Sequence, residues 1–409
     1  MSSPIESLLT PEAARSSSRY VDFPDFEIKW AFEAGLPDPA TFPIDDLTRL
    51  TERVLRTDAE DALQYGTPRQ SALIYGYAGL REEIVARTPV APGRDLGLAN
   101  VMLTSGGVQA ITLAVRAFLG PGDVLAVEAP TWNAVLDAAA QVGTQTVAIP
   151  MDEDGMVLDA LEARITELRE EGRRLKMVYT IDTFNTPTGL CLSENRRRRL
   201  LALAEQHGFV VVEDNVYGAL RYDGPPLPTL FEMDTQGLVV KIDSFSKTLA
   251  PALRLGWVSG DPAAISGMAG VRGDLGVSQW LARVMAAFLR EGLYEPHLER
   301  VNALYRTKRD LTDEALREHC AELTTWRRPD GGFFFWVEMA PGTDARSVMR
   351  KALAEGVVCR PGERFFGQPE DGAQFLRIAF TMVPSERIPA GIEILARSLA
   401  DSTLAGTGA

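Results

Sequence analysis

The stretch Leu238-Val239-Val240-Lys241-Ile242-Asp243-Ser244-Phe245-Ser246-Lys247-Thr248 runs from a β-branched apolar segment into a hydroxyl-rich turn that carries a lysine. Residues 238–242 read as a buried strand, and the turn sits at its carboxyl end, where open α/β sheets bind ligands. Similar runs recur on both sides, at residues 101–103, 123–128, 144–149, 176–181, 209–213 and 255–259. Helical stretches separate them, among them 157–171 and 193–207, the second starting from a Ser193 cap. Strand and helix in alternation over about residues 100–260 predict an α/β fold, with a mostly parallel sheet covered on both faces.

Beyond about residue 278 the rhythm changes to long helices, then to strands around 332–339, 357–359 and 375–380, and to a final helix. This is the pattern of a smaller α+β domain. The tail after Ala400, ending Ala-Gly-Thr-Gly-Ala, reads as frayed. The basic run Arg196 to Arg199 reads as the solvated face of a helix whose apolar side is Leu200, Leu203 and Ala204.

Bulk properties narrow the function. A chain of 409 residues with 45% hydrophobic and 24% charged residues suits two globular domains. Its net charge of −14 argues against nucleic acid or an anionic membrane as partner, so an anionic ligand needs its own basic pocket. Cys191, Cys320 and Cys359 are far apart and form neither a CxxC nor a metal-ligand pattern, which predicts inert thiols and no metal site. Residues 1–23 lack the apolar core of a secretion signal, and no run approaches the roughly 18 apolar residues of a spanning helix. The expected location is the cytoplasm.

Three segments carry chemistry. Lys247 follows a buried strand, stands among hydroxyls and has Arg254 seven residues on; desolvated there, a lysine becomes a nucleophile toward carbonyls. Thr104-Ser105-Gly106-Gly107 opens a helix after a strand, and unpaired backbone N–H groups at such an end make a seat for phosphate. Val210-Val211-Val212-Glu213-Asp214 ends an apolar strand in carboxylates, which need partners when buried.

Together with Ala34-Gly35-Leu36-Pro37-Asp38-Pro39, Glu128-Ala129-Pro130-Thr131-Trp132, Thr186-Pro187-Thr188-Gly189, Asn215-Val216-Tyr217 and Phe375-Leu376-Arg377, these segments resemble the class I/II aminotransferases of fold type I. The branch containing α-aminoadipate, kynurenine and aromatic aminotransferases is the most similar, in order from about residue 30 to 395. The resemblance implies pyridoxal 5'-phosphate as cofactor and a seven-stranded, mostly parallel large-domain sheet. It divides the chain into an arm and part of the small domain at 1–50, a large domain at 51–280 and a small domain at 281–409. It implies a homodimer with shared active sites, acting on amino acid and 2-oxo acid substrates.

It further implies that Lys247 carries the cofactor as an internal aldimine and moves the proton, that Asp214 pairs with the pyridine nitrogen and that Tyr217 bonds the phenolic oxygen. Gly106, Gly107, Val108, Ser244, Ser246 and Arg254 hold the phosphate, Trp132 stacks on the ring, and Gly35 and Arg377 take the substrate, Arg377 by its α-carboxylate. The family's asparagine before Pro-Thr-Gly aligns with Thr186, and Asn185 one place earlier is expected to serve instead. Gly107 and Val108 replace the usual side-chain phosphate ligands with backbone N–H groups. The tyrosine that reaches the neighbouring subunit's phosphate is Tyr65, in Tyr65-Gly66, with Tyr75 in competition because about six extra residues precede Gly76-Tyr77. Trp30, Phe32, Trp280 and Tyr65 are candidates for an aromatic or aliphatic substrate pocket.

Transamination is the leading reading. Oxidation, β- or γ-replacement or carbon–carbon bond formation on the same cofactor is the alternative, motivated by Thr186 and the longer loop. A ligand-sensing regulator built on the same domain is the third, and would need a DNA-binding domain ahead of Ala34.

Overall fold

The computed structural model describes residues 5, 8–9, 27–65 and 73–406, with side chains described to residue 402. Fourteen strands are seen among these residues. In chain order they are β1 (Trp30–Ala31), β2 (Val101–Thr104), β3 (Val124–Ala129), β4 (Gln145–Asp152), β5 (Gly155–Met156), β6 (Leu175–Thr180) and β7 (Val210–Asp214). Then follow β8 (Val239–Ser244), β9 (Gly256–Ser259), β10 (Thr324–Trp326), β11 (Phe334–Met339), β12 (Val357–Val358), β13 (Arg360–Pro361) and β14 (Phe375–Ala379).

The central sheet has the order β2-β9-β8-β7-β6-β3-β4-β5. Pairs from β4 through β3, β6 and β7 to β8 are parallel, whereas β9 runs antiparallel to both β8 and β2. The strands read as unbroken apolar runs because they are covered on both faces, and successive side chains point opposite ways. Leu125, Val127, Val212 and Val240 pack under helices Gly107–Phe118, Asn133–Gln141 and Pro262–Gly270. Their neighbours Val124, Ala126, Val211 and Val239 pack under Leu158–Glu170 and Glu194–His207. The eighth strand corrects the expected seven: β5 has only two residues, hairpinned onto the edge strand β4, too short to leave a periodic signal.

The second sheet, β10-β11-β14-β13, is antiparallel, and β1 pairs with β12. One apolar core joins Phe32 to residues as late as Leu399, so the start and end of the described chain meet in one layer. The expected strand at 357–359 is split between β12 and β13, and helix continues past Ala400 to Gly406 instead of fraying there.

Two expectations about helix Glu194–His207 also change. Ser193 stands at its N-cap, but its side chain makes no capping bond. Arg197 is not solvated: it is fully buried, ion-paired to Asp182, and donates to the Leu192 carbonyl at 2.9 Å and the Thr183 hydroxyl at 2.8 Å. A guanidinium has five N–H donors in a fixed fork, and this loop supplies acceptors spread around it. Arg197→Leu leaves Asp182 buried without its cation and is expected to cost about 3–5 kcal/mol of stability. Urea unfolding checks this; a loss under about 1 kcal/mol would show the pair to be dispensable.

Candidate active site

A cavity of about 780 Å³ opens at the carboxyl ends of β7 and β8 and is closed from the other side by β11, β13 and β14. Lys247 lies on its wall in the short helix Phe245–Thr248, which Ser244 caps by accepting from the Ser246 N–H at 3.1 Å. Its Nζ donates to the Gly35 carbonyl at 2.6 Å and stands 5.7 Å from the Tyr217 ring centre. Gly35 is required there, since a Cβ would lie 2.6 Å from the Phe334 ring. Burial, with the nearby Arg377 charge, holds the Lys247 amine down to about 8, whereas Asp214 opposes the shift. A lysine in that range supplies unprotonated amine near neutral pH.

Asp214, at the end of β7, is 3% exposed. Its Oδ2 accepts from the Tyr179 hydroxyl at 2.6 Å, while Oδ1 makes no well-formed hydrogen bond among the described residues, the Val216 N–H nearby only easing the carboxyl's burial. Burial lifts its carboxyl to about 6, against the pull of the Tyr179 bond. Tyr179 was hidden in the sequence as one more apolar residue of a strand; the available signal is that a buried tyrosine hydroxyl needs a partner. Tyr217 lines the cavity against the edges of Phe333 and Phe334, and burial raises its pKa.

Gly107 and Val108 line the cavity at the N-terminus of helix Gly107–Phe118, after Gly106 with φ +87°. Gly106 packs beside Arg254: a Cβ there would stand 3.0 Å from the guanidinium, which donates to the Ser105 carbonyl at 2.6 Å. Ser244 and Ser246 line the same end with their hydroxyls 2.9 Å apart. Serine hydroxyls, helix N–H groups and an arginine thus converge, the donor set an anionic group requires. Trp132 and Val216 line the same cavity as Asp214.

Arg377, on β14, is buried and stacked 4.3 Å over Phe334. It donates to the Glu33 carbonyl at 2.5 Å, keeps Nε without a partner among the described residues, and is held down to about 10 by burial. Arg360 stands opposite it across β13 and β14 and ion-pairs with Glu33. Glu33, Arg360 and Arg364 line the cavity without having been singled out in the sequence; 327 residues separate Glu33 from Arg360, beyond any local pattern.

Asn185 and the candidate pocket aromatics are not brought to the cavity, and the two tyrosines expected at a neighbouring subunit's phosphate do not line it. Asn185 is fully buried and faces away, donating to Glu128 at 2.7 Å and accepting from Thr188; Thr186 lines the cavity in its place. Tyr65 is 69% exposed, and Gly66 lies outside the described residues. Tyr75 packs against the helix core and under Arg81. Of the proposed pocket aromatics, Trp30 and Phe32 pack in the second core, and Trp280 packs on a separate apolar cluster.

Residues 42–395 match the model of the family "Aminotransferase class I and II". The chain is 38% identical to aromatic-amino-acid aminotransferase 1 of Thermococcus litoralis over 89% of its length and 86% of the relative's. It is 33% identical to 2-aminoadipate transaminase of Thermus thermophilus over 90% of its length and 89% of the relative's. It superposes with a TM-score of 0.87 on Pyrococcus horikoshii kynurenine aminotransferase, solved with PMP, kynurenine and its product. That pair is 34% identical, covering 97% of this chain and 98% of the other. With a buried lysine, an unpaired carboxylate oxygen and an anion seat sharing one cavity, the chain belongs to the class I and II aminotransferases, which use pyridoxal 5'-phosphate.

Proposed function

We propose that this protein moves the amino group of an L-amino acid to a 2-oxo acid, with Lys247 as the residue that holds pyridoxal phosphate and transfers the proton. The observation that carries this is the Lys247 amine, held near pH 8 inside a cavity that also contains the unpaired Oδ1 of Asp214 and the buried guanidinium of Arg377. When bound, the cofactor supplies an electron-accepting ring conjugated to the substrate amine. The residues fit that group. Asp214 Oδ1 is an acceptor for a protonated ring nitrogen, Tyr217 supplies a hydroxyl, and Trp132 offers an aromatic face. Gly106, Gly107, Val108, Ser244, Ser246 and Arg254 form the phosphate seat. Lys247 Nζ, when not holding the cofactor, would be the base available to take and return the substrate's proton. Absorbance of the purified protein, followed with a panel of amino acids and then 2-oxo acids, tests the reading. Amino acids should convert the bound cofactor and 2-oxo acids restore it; no change with any pair would refute transamination.

Arg377 is assigned the substrate's α-carboxylate, on the free Nε and the bidentate geometry of a guanidinium. Arg377→Ala is expected to lower kcat/KM for an amino acid by about a hundredfold, the worth of a charge-assisted hydrogen bond. The corresponding amine without a carboxylate should lose little. Equal losses for acid and amine would remove the assignment.

A homodimer is proposed as the working form. Neither Tyr65 nor Tyr75 lines the cavity of its own chain, and the exposure of Tyr65 leaves it available to a second copy's phosphate. Residues 51–280 are assigned to the large domain, 281–409 to the small one and 1–50 to an arm and part of the small domain, supported by the separate strand sets of the two sheets. Among the described residues no helix is long and apolar enough to cross a membrane. The cytoplasm is proposed from the composition of the chain.

A further inference from the structure

The turn between β6 and helix Glu194–His207 offers the cavity one hydroxyl and withholds one amide. Thr186 is 3% exposed, lines the cavity, and its Oγ1 makes no well-formed hydrogen bond among the described residues, although it lies close enough to the Tyr217 hydroxyl to pull that phenol's pKa down. A buried hydroxyl without a partner costs free energy unless something else supplies one. Asn185, next in the chain, has no such need. Its Oδ1 accepts from the Thr188 N–H at 3.2 Å and the Thr188 hydroxyl at 2.9 Å, and its Nδ2 donates to Glu128 Oε2 at 2.7 Å. The orientation of that amide is fixed, because only its NH₂ can face a carboxylate and only its oxygen can face a backbone N–H.

Glu128 is itself 1% exposed at the end of β3. Its Oε1 accepts from the Thr180 hydroxyl at 2.6 Å, and its Oε2 accepts from the Ile181 N–H at 3.0 Å as well as from Asn185. The backbone of the turn closes on itself, with the Asn185 N–H donating to Leu190 and the Gly189 N–H donating to Asn185. Turning Asn185 into the cavity would therefore break three side-chain bonds and leave a buried carboxylate short of a donor.

We propose that the Thr186 hydroxyl, not the Asn185 amide, meets the phenolic oxygen of bound pyridoxal phosphate beside Tyr217, and that Glu128 is the positioning residue that fixes this choice. The inference rests on the pyridoxal-phosphate reading above. It concerns the charge on one oxygen. That oxygen's negative charge stabilises the proton on the nitrogen joining the cofactor to Lys247, and a donor hydrogen-bonded to the oxygen draws the charge away. Removing the donor must raise the nitrogen's proton affinity.

The test is the pH midpoint of the bound cofactor's absorbance change, measured on the holoenzyme without substrate. Thr186→Val, which keeps the shape and removes the hydroxyl, should raise the midpoint by about one unit, a tenfold change in proton affinity. Thr186→Ser should restore it. Asn185→Ala should move it by less than half as much as Thr186→Val. Glu128→Gln keeps an oxygen toward Ile181 and Asn185 and turns its NH₂ to the Thr180 hydroxyl, so its midpoint should match the wild type. Glu128→Asp draws the oxygens back from Asn185 and should shift the midpoint. A midpoint indifferent to Thr186→Val, or moved more by Asn185→Ala, overturns the Thr186 assignment. Equal midpoints for Glu128→Asp and Glu128→Gln overturn the positioning role. A preparation that takes up no pyridoxal phosphate, seen as no absorbance beyond that of protein, would instead overturn the reading beneath both.

Discussion

Lys247→Ala is expected to leave a folded protein that holds no cofactor covalently and turns over at least about a thousandfold more slowly, because one side chain provides both the attachment and the proton carrier. Reduction with borohydride should fix the cofactor to the wild-type chain at Lys247 and leave the variant unlabelled; a label mapped to any other lysine would end the assignment. Capture has a pH dependence of stated sign. Only the unprotonated amine attacks a carbonyl, and burial lowers the Lys247 pKa from 10.5 to about 8. Cofactor uptake by the stripped protein should accelerate as pH rises through about 8 and then level off. A lysine exposed to solvent would still be accelerating well above that pH. The phosphate seat stays intact in the variant: Ser244, Ser246 and Arg254 do not depend on the Lys247 side chain, so cofactor should still bind noncovalently through its phosphate.

What could be read from the sequence follows from the range of the interactions that decide it. The longer strands of the central sheet are legible because covering both faces requires unbroken runs such as Val210-Val211-Val212, and the turn carrying Lys247 is legible because it directly follows one of them. Lys247, Asp214, Tyr217, Arg254 and Arg377 do line one cavity. What could not be read depends on partners distant in sequence. Asn185 is turned from the cavity by Glu128, 57 residues earlier, and no spacing within the Thr186-Pro187-Thr188-Gly189 motif encodes that contact. Arg197 looks like its exposed neighbour Arg198 in a basic run, yet it is turned inward onto Asp182. Trp30 and Phe32 can be recognised as large and apolar, but the core they fill is completed by residues that begin only at Phe184 and run to Leu399.

Asp214→Asn tests the electrostatic half of the site, and its expected effect is a loss of about 10²–10³ in kcat with the fold preserved. The substitution is nearly isosteric, so the bond from Tyr179, 2.6 Å in the parent, can be kept by the amide oxygen. The NH₂ must then occupy the position of Oδ1. A donor there hydrogen-bonds to an unprotonated ring nitrogen and disfavours a protonated one, whereas the parent carboxylate does the reverse. The carboxyl's own titration agrees in sign. Burial raises it from 3.8 to about 6, so the native state binds a proton more tightly than the unfolded chain and the buried anion costs stability as pH rises between those values. A cation on the ring nitrogen offsets that cost. Cofactor binding should therefore stabilise the parent more than the Asn variant above pH 6, measured as the difference in Tm with and without pyridoxal phosphate. A cofactor analogue methylated at the ring nitrogen carries its charge regardless of the neighbour and should recover part of the variant's lost rate. If the variant turns over at nearly the parent rate, or the methylated analogue recovers nothing, Asp214 acts through Tyr179 as a structural group and not through the ring.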